Sequence, residues 1–344
     1  MPITVRAIAP GDFPAWDEFV TAHPQGSPFH LIAWKKTIEE VFSYRPQYLA
    51  AFDGSTIAGA LPLFLVSNWI TGKALISTPF AVYGGVLASS DESRDALSEY
   101  VEKFASSLDV QYVELRNVDP GQRLGYSSVD RYVTFRGPVS ADEEAVLQSI
   151  PRKTRRIVRK SLEHPYSVHV QKEDFRIFED LYSRNLRKLG TPAFPRKYFR
   201  VLLKHFRDSA DIREIWLEGK PVAAVLTLYF RDHALPYYGA ADEHYNAQAP
   251  TTFMYFDLMR WAGQNGYRTF DFGRSKIDSA SGHFKSHWGL VESPLPYEML
   301  LVKRTSLPNN SPTNPMFQYP IKIWRKLPLP LTRAIGPKLL KLFP

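Results

Sequence analysis

The sequence predicts an α/β protein built from two related halves. Its 344 residues suit two domains of ordinary size. Residues 48–66 and 213–230 both consist of two apolar runs joined by a glycine turn, which is a strong hairpin signal. In both halves a Tyr-Gly pair, a helix-like stretch and a strand with an acidic residue follow in that order. A chance match of two α/β domains is the alternative, but the shared turn, Tyr-Gly pair and acid favour a duplicated unit.

The first half opens with a helix whose apolar residues, among them Trp34 and Ile38, recur at helical spacing. The expected elements, in order, are a helix over 30–43, a hairpin turning at Asp53-Gly54, a buried strand within 57–66, a strand pair ending at Tyr83-Gly84, a helix over 93–108 and a strand over 111–115 that carries Glu114.

The second half repeats this order behind a helix pair around Pro151 and two further helices within 174–207, which break at 189–192. The expected elements are a hairpin turning at Gly219, a strand ending in Tyr238-Gly239, a helix over 251–265 with an apolar face, and a strand closing as FDFG, in which Asp271 matches Glu114.

Composition narrows the classes of function. The net charge is +8, so an anionic partner is expected. The chain has no cysteine, which excludes disulfides, thiolate zinc sites and cysteine nucleophiles. The N-terminus shows no basic start followed by an apolar run, and the longest apolar run is too short to span a bilayer. We therefore expect a cytoplasmic protein.

A stripe of arginines is the most visible charged feature. They share one helical face by i, i+3, i+4, i+7 spacing and are Arg152, Arg155, Arg156 and Arg159. Guanidinium groups bind phosphate oxygens through two parallel hydrogen bonds, so the stripe is a candidate site for an anionic substrate. The alternative is a solvated helix that pairs with the acids at 142–144.

Residues 270–289, FDFGRSKIDSASGHFKSHWG, concentrate polar side chains behind a strand-like start. Lys285 follows Phe284 and precedes a Trp-Gly pair, and a lysine between aromatic residues can present a fixed charge to a developing oxyanion. Asp271 and Tyr238 are the expected positioning groups. The candidate substrate contacts of this stretch are Phe284, Arg274 and Lys276. An ordinary exposed lysine on a surface loop is the alternative.

No metal and no tightly bound cofactor are expected. His283 and His287 are four residues apart, as ligands on a helix would be, but no third ligand accompanies them. The phosphate-loop, dinucleotide and nucleophile-elbow patterns GxxxxGK[ST], GxGxxG and GxSxG are missing. The two histidines are expected to pack beside Trp288.

In combination, five motifs resemble those of FemAB-related proteins, in particular the branch associated with exosortase/PEP-CTERM and exopolysaccharide loci. They are STPFAVYGG (77–85), PRKTRRIVRK (151–160), LRKLGTPAFP ending at Pro195, FDFGRSK (270–276) and FKSHWG (284–289). The resemblance covers essentially residues 1–303. It implies two tandem GNAT-like domains, each a mixed sheet flanked by helices.

The resemblance also implies a reaction. FemAB and FemX proteins transfer an amino acid from aminoacyl-tRNA to a peptide amine of a peptidoglycan precursor, and their Phe-Lys pair, which matches Phe284 and Lys285, helps to stabilise the transition state. The phosphorylated precursor would bind near the arginine stripe. Two departures leave the donor open between aminoacyl-tRNA and acyl-CoA: the coiled-coil arm of the longer ligases is missing, and so is the acetyl-CoA loop pattern [QR]xxGx[GA].

We place an N-terminal GNAT-like domain at 1–140, a basic linker helix at 141–165, a C-terminal and catalytic GNAT-like domain at 166–303 and a Pro-rich basic tail at 304–344. The tail mixes Trp, Leu and Ile with Lys and Arg and contains no acid. This composition favours a peripheral contact of residues 306–344 with an anionic membrane, at the inner face of the cytoplasmic membrane. A tail packed on the protein itself, or a disordered one, is the alternative.

The sequence thus favours an acyl- or aminoacyltransferase that acts on an amine or hydroxyl of an exopolysaccharide or peptidoglycan precursor. The expected partners are an anionic or lipid-linked glycan precursor and a tRNA donor, but not DNA. A non-catalytic scaffold at the membrane surface is the second hypothesis. Nucleic-acid binding as the main function is weaker, because the aromatic residues mostly follow core spacing.

Overall fold

In the computed structural model, which describes residues 2–69, 72–308 and 315–344, the chain forms two units that interleave along the sequence. The first consists of Met1–Arg131, Leu295–Ser311 and Leu340–Pro344, and the second of Tyr132–Pro294 and Pro312–Leu339.

Up to residue 131, where the chain passes from the first unit to the second, the elements are β1 Thr4–Ala7, α1 Phe13–Ala22, α2 Ile32–Phe42, β2 Arg45–Pro46, β3 Leu49–Asp53, β4 Thr56–Leu61, β5 Phe64–Asn68, β6 Gly72–Ile76, β7 Leu87–Ala88, α3 Asp91–Ser107, β8 Tyr112–Leu115 and β9 Ser127–Val129. The elements that follow are β10 Tyr132–Pro138, α4 Glu143–Ser149, α5 Arg152–Leu162, β11 Tyr166–Gln171, α6 Arg176–Leu189, α7 Arg196–Phe206, β12 Ala210–Leu217, β13 Lys220–Phe230, β14 His233–Ala241, α8 Pro250–Gln264, β15 Thr269–Lys276, α9 Ala280–Ser286, β16 Val291–Pro294, β17 Tyr297–Leu301, α10 Pro315–Lys326 and α11 Leu329–Leu340.

The first unit contains two sheets, with strand orders β1-β3-β4-β7 and β2-β5-β6-β8-β17-β9. The predicted hairpin at Asp53-Gly54 is confirmed as β3–β4, and Gly54 takes the positive φ of +60° that its turn requires. The expectation of one buried strand within 57–66 is wrong. Pro62 lacks a backbone donor and separates β4 from β5, and these two strands enter different sheets.

The second unit contains one seven-stranded sheet of order β11-β12-β13-β14-β15-β10-β16. It is mixed, because β14 and β15 pair in parallel and every other neighbouring pair is antiparallel. The predicted hairpin at Gly219 is confirmed as β12–β13, with φ of +51° at Glu218 and +76° at Gly219. Helix α8 packs on one face of this sheet, where Phe256 and Met259 are fully buried beside Phe270 of β15.

Two strands explain why the units interleave. Strand β10 pairs with β15 and β16 of the second unit, whereas β17 pairs with β8 and β9 of the first. Residues 132–140 therefore group with the second unit and 295–303 with the first, although the sequence analysis assigned both segments the other way round.

Each unit contains one pair of parallel strands with a helix between them along the chain. Helix α3 comes between β6 and β8, and α8 comes between β14 and β15. The Tyr-Gly pairs are not equivalent, however. Tyr238 and Gly239 lie within β14, whereas Tyr83 and Gly84 lie in the loop after β6. The helix pair around Pro151 is confirmed as α4 and α5, and the break at 189–192 separates α6 from α7.

The tail is partly helical. Helix α10 begins at Pro315, inside the Pro-rich part of this tail. The part of that segment at 309–314 lies outside the described residues.

Candidate active site

Strands β14 and β15 part soon after they meet. They pair at His233–Thr269 and Ala234–Phe270 only, although β14 continues to Ala241 and β15 to Lys276. We call the opening between residues 235–241 and 271–276 the notch. A notch between parallel strands exposes backbone groups that a regular sheet would pair, so it can receive a substrate.

A β-bulge in each strand accounts for the divergence. In β14, Tyr237 is the extra residue, since Leu226 pairs with Tyr238 and Thr227 with Pro236. In β15, Phe272 and Gly273 together oppose one residue of β10. An extra residue bends its strand and increases the local twist, so two bulges at the same level separate the strands.

The FDFG motif forms the bulge of β15. Gly273 has a φ of +64°, a conformation that a side chain would disfavour. The buried Asp271 accepts hydrogen bonds at Oδ1 from the Gly273 amide (2.7 Å) and from Oγ1 of Thr134 (3.2 Å). Asp271 therefore fixes the bulge as well as placing a negative charge beside it.

Lys285 completes this structure from α9. Its Nζ donates to the carbonyl oxygens of Phe272 (2.8 Å), Gly273 (3.2 Å) and Arg274 (3.1 Å). An ammonium group has three donors, so all of them are engaged. Burial lowers the pKa of Lys285 to about 8; the charge of Asp271 opposes this shift and that of Arg274 adds to it. A role at an oxyanion therefore requires that one carbonyl contact be exchanged for the substrate.

Tyr238 faces an aromatic cluster on the other side of the sheet from α8. Its hydroxyl lies 2.8 Å from that of Tyr198 on α7, and burial raises its pKa well above the ordinary value. Phe270 and Phe272 contact α8, so strand alternation turns Asp271 toward the same face as Tyr238. The structure thus brings these two predicted residues to one face of adjacent strands. The LGTPAFP motif contributes Phe194, which stacks on Tyr198 at 4.3 Å.

Tyr255 of α8 was missed by the sequence analysis, which assigned its helix only a core face. Its ring contacts Phe272 at 4.9 Å and Phe284 at 5.7 Å, between ring centroids. A Cβ placed on Gly239 would lie 2.7 Å from the Tyr255 hydroxyl, so the glycine admits this side chain to the notch. Burial raises the pKa of Tyr255 to about 12. The sequence offers one signal for this contact, which is a glycine at the end of a predicted strand followed by a tyrosine in the next predicted helix.

Residues 147–286 match the family model of the acetyltransferase (GNAT) domain. This range contains both strands of the notch, together with α8 and α9. Residues 147–286 therefore form a GNAT-type acyltransferase domain.

Solved structures extend the likeness beyond that domain. FemX is 15% identical with a TM-score of 0.71, over 87% of this chain and 98% of its own. A tandem GNAT protein from the clavulanic acid biosynthesis pathway is 10% identical (TM-score 0.56), over 88% of this chain and 100% of its own. L-PGS from Bacillus licheniformis is 14% identical (TM-score 0.51), over 91% and 97%. No protein of curated function matches the sequence. The predicted fold of two tandem GNAT-like domains is confirmed.

The arginine stripe lies on α5, on the side opposite the buried Thr154, Val158 and Ser161. Among the described residues no ion pair engages Arg152, Arg156 or Arg159, which are exposed, whereas the half-buried Arg155 donates to Gln148. The stripe begins beside the FKSHWG motif. A Cβ on Gly289 would lie 2.4 Å from the carbonyl oxygen of Ser149, just ahead of α5.

Two further predicted residues, Arg274 and Lys276, lie on β15 at the end of the notch that is farther from the paired residues. Arg274 lies over the ring of Tyr132, 4.5 Å from its centroid. Lys276 ends β15, and its carbonyl oxygen accepts from the Ser279 hydroxyl that caps α9. The two histidines are exposed, so the expectation that they pack beside the buried Trp288 is wrong. Trp288 packs on Tyr255, Phe272 and Phe284 instead.

The segment that joins β14 to α8 leaves few backbone amides free at the first turn of that helix. Helix N-termini bind phosphates through free amides. Here Pro250 has no amide hydrogen, and the amides of Thr252 and Phe253 both donate to the carbonyl of Ala249. Among the amides of this first turn, only that of Thr251 is left to bind an anion. The acidic Asp242 and Glu243 precede it in the chain.

The end of β14 also borders a cavity of about 400 Å³. Its wall on the helix side is basic, and its wall on the loop side is mixed. The polar lining residues of the two walls include Arg184, Arg187, Lys188, Asp242, Glu243, His244 and Arg325. Within the described part of the chain, no group of three or more His, Asp or Glu residues could hold a metal ion, and no helix is long and apolar enough to cross a bilayer.

Proposed function

We propose that the protein transfers an acyl or aminoacyl group to an amine or hydroxyl of a cell-envelope precursor, either of an exopolysaccharide or of peptidoglycan. The observation that carries the proposal is the notch, in which Asp271, Lys285 and Tyr255 meet splayed strands inside the GNAT-matching range. Such a site acts by holding two substrates in contact and stabilising charge.

The acceptor's lone pair attacks the acyl carbon of the donor. A C–N or C–O bond forms, and the bond from the acyl carbon to the donor's oxygen or sulfur breaks. The acceptor's proton ends on that leaving oxygen or sulfur, so atoms and charge balance. Negative charge develops on the acyl oxygen in between, and Lys285 is the cation next to the notch that exchanges a carbonyl contact for it.

For the donor, the first turn of α8 favours an aminoacyl-tRNA ester over an acyl-CoA. A coenzyme diphosphate placed there would meet one free amide and two nearby acids. A tRNA end carries its phosphates farther from the acyl group and can use the basic wall of the 400 Å³ cavity. The arginine stripe of α5 is the proposed contact for the acceptor's phosphates.

Mass spectrometry of transfer reactions tests the proposal. Purified protein is incubated with charged total tRNA or with an acyl-CoA mixture, each with nucleotide-linked and lipid-linked envelope precursors. A mass increase of a precursor by one aminoacyl residue, only with tRNA, supports both the reaction and the donor. An acyl increase with CoA alone overturns the choice of donor, and no transfer with either set overturns the function in favour of a scaffold.

A further inference from the structure

Helices α10 and α11 of the tail are fixed to the second unit by one face each. On α10, Trp324 is 7% exposed and Ile321 packs at Gly190, where a Cβ would lie 2.5 Å from its Cγ2. On α11, Nε of Arg333 lies 3.1 Å from Oε1 of Glu179, a carboxylate buried in α6. These two faces of the tail are therefore packed against the rest of the second unit.

The opposite faces remain in solvent and follow one pattern. On α10 the exposed positions i, i+3, i+4 and i+7 are Tyr319, Lys322, Ile323 and Lys326. On α11 the same four positions are Leu331, Ala334, Ile335 and Lys338. Each helix thus has an exposed stripe that combines apolar residues with lysine and ends in lysine. The exposed fractions of the large apolar side chains are 73% for Tyr319, 46% for Ile323, 41% for Leu331 and 36% for Ile335.

The positive charge of the protein is concentrated in the same segment. Glu298 is the last acidic residue, and eight of the 43 Lys and Arg residues follow it. The 35 acids are therefore balanced by 35 basic residues up to Glu298, and the whole net charge of +8 comes from the chain after it.

We propose that the two stripes of α10 and α11 dock the protein on the surface of an anionic lipid bilayer. Apolar side chains enter the interface while lysines at the end of each stripe meet lipid phosphates, which is the composition of interfacial helices. The helices have 12 residues each and each has a proline in its interior, Pro320 or Pro337, so they lie on the surface rather than cross it.

Other occupants fit the stripes less well. A tRNA would use the lysines but leave Tyr319, Ile323, Leu331 and Ile335 without a partner, since phosphate contacts are polar. A second copy of the chain would place like charges of two basic stripes against each other. A bilayer uses both the apolar and the basic residues.

Co-sedimentation of the full-length protein with vesicles tests the proposal. Phosphatidylglycerol–phosphatidylcholine vesicles are compared with pure phosphatidylcholine vesicles at low and high salt. We expect binding to the anionic vesicles and little to the neutral ones. Replacing Ile323 and Ile335 by Ser should lower partitioning about tenfold or more, because several buried methylene groups are lost. Replacing Lys322 and Lys338 by Glu should have an effect of about the same size, which salt reduces.

The matched control replaces Val170 and Val291 by Ser, since both are exposed and lie on strands outside the tail. This variant should bind like the wild type, and all variants should keep the wild-type thermal unfolding curve. Three results overturn the proposal: wild-type protein that stays in the supernatant with anionic vesicles, equal binding by the serine double variant of the tail, or binding of total tRNA but not of vesicles. A change in oligomeric state in the tail variants without vesicle binding favours a second copy instead.

Discussion

Three backbone carbonyls surround the ammonium group of Lys285, and this decides how the residue can act. The carbonyls of residues 272–274 converge because Gly273 adopts a positive φ. Lysine in this position supplies the hydrogen bonds that β14 would supply in a regular sheet. The same group is a cation held in place beside the notch. Positioning the bulge and stabilising an oxyanion are thus two roles of one side chain, and substitutions separate them.

Lys285→Ala should lower kcat by roughly 100-fold or more with a much smaller change in KM, because an oxyanion donor acts in the transition state. Lys285→Arg keeps the charge and donors but not the compact geometry, so it should recover part of the kcat. Steady-state kinetics on both variants check this. An alanine variant with full kcat removes Lys285 from the mechanism, and equal loss in a variant whose unfolding midpoint collapses assigns it to structure alone.

The pKa of about 8 predicts an alkaline limit of activity. Turnover should fall as pH rises through about 8, because neutral Lys285 loses a donor and its charge. Stability should move the other way: between about pH 8 and 10.5 the unfolded chain holds this proton and the folded chain does not, so the unfolding free energy rises with pH from this group.

Asp271→Asn is the matched variant for this prediction. Its amide oxygen can still accept from the Gly273 amide, but the charge that raises the pKa of Lys285 is gone. The alkaline limb of the kcat–pH profile should therefore shift to lower pH. An unchanged limb would separate Asp271 from the titration of Lys285.

At the scale of elements, the notch depends on two bulges and one close contact between a strand and a helix. The bulges at Tyr237 and at Phe272-Gly273 end the pairing of β14 with β15 after two residues. Gly239 then leaves room for Tyr255, which forms the side of the notch toward α8. Spacing of apolar residues predicts the strands, but a bulge leaves almost no trace in that pattern.

Gly239→Ala should narrow the notch, because the new Cβ would lie 2.7 Å from the Tyr255 hydroxyl. We expect a fall in kcat/KM and a lower unfolding midpoint. Adding Tyr255→Phe removes the clashing oxygen and should restore stability in the double variant. Gly11→Ala is the control, since its Cβ would meet nothing within 4 Å. A double variant no better than Gly239→Ala would show that the two sites are independent.

At the scale of the whole molecule, two similar scaffolds carry unlike chemistry. In the first unit β6 and β8 pair at three successive positions, Ala74–Tyr112 through Ile76–Glu114, where the second unit already diverges. Glu114 there accepts from Nε of Arg116 at 2.8 Å, in the role of a structural ion pair. The GNAT match at residues 147–286 lies entirely in the second unit.

Glu114→Gln should therefore lower stability without changing kcat, whereas Asp271→Asn alters the pH dependence of turnover. Breaking a partly buried charge pair costs about 1–3 kcal/mol when one partner stays charged. Urea unfolding and steady-state kinetics on the two variants form the test. A large loss of kcat in the Glu114 variant would contradict the assignment of catalysis to the second unit.

Sequence periodicity by itself determined helices such as α2, α3 and α8 and the two glycine hairpins, because each of these depends on neighbours within a few residues. The FKSHWG and FDFGRSK motifs likewise made Lys285 and Asp271 candidate site residues. The tertiary structure alone decided what these residues contact. The carbonyl cage of Lys285, the entry of Tyr255 at Gly239, the exchange of β10 and β17 and the exposed stripes of α10 and α11 all join residues that are distant along the chain or depend on which face is buried. Local propensity carries no record of such pairings, since they arise only when the sheets and helices pack.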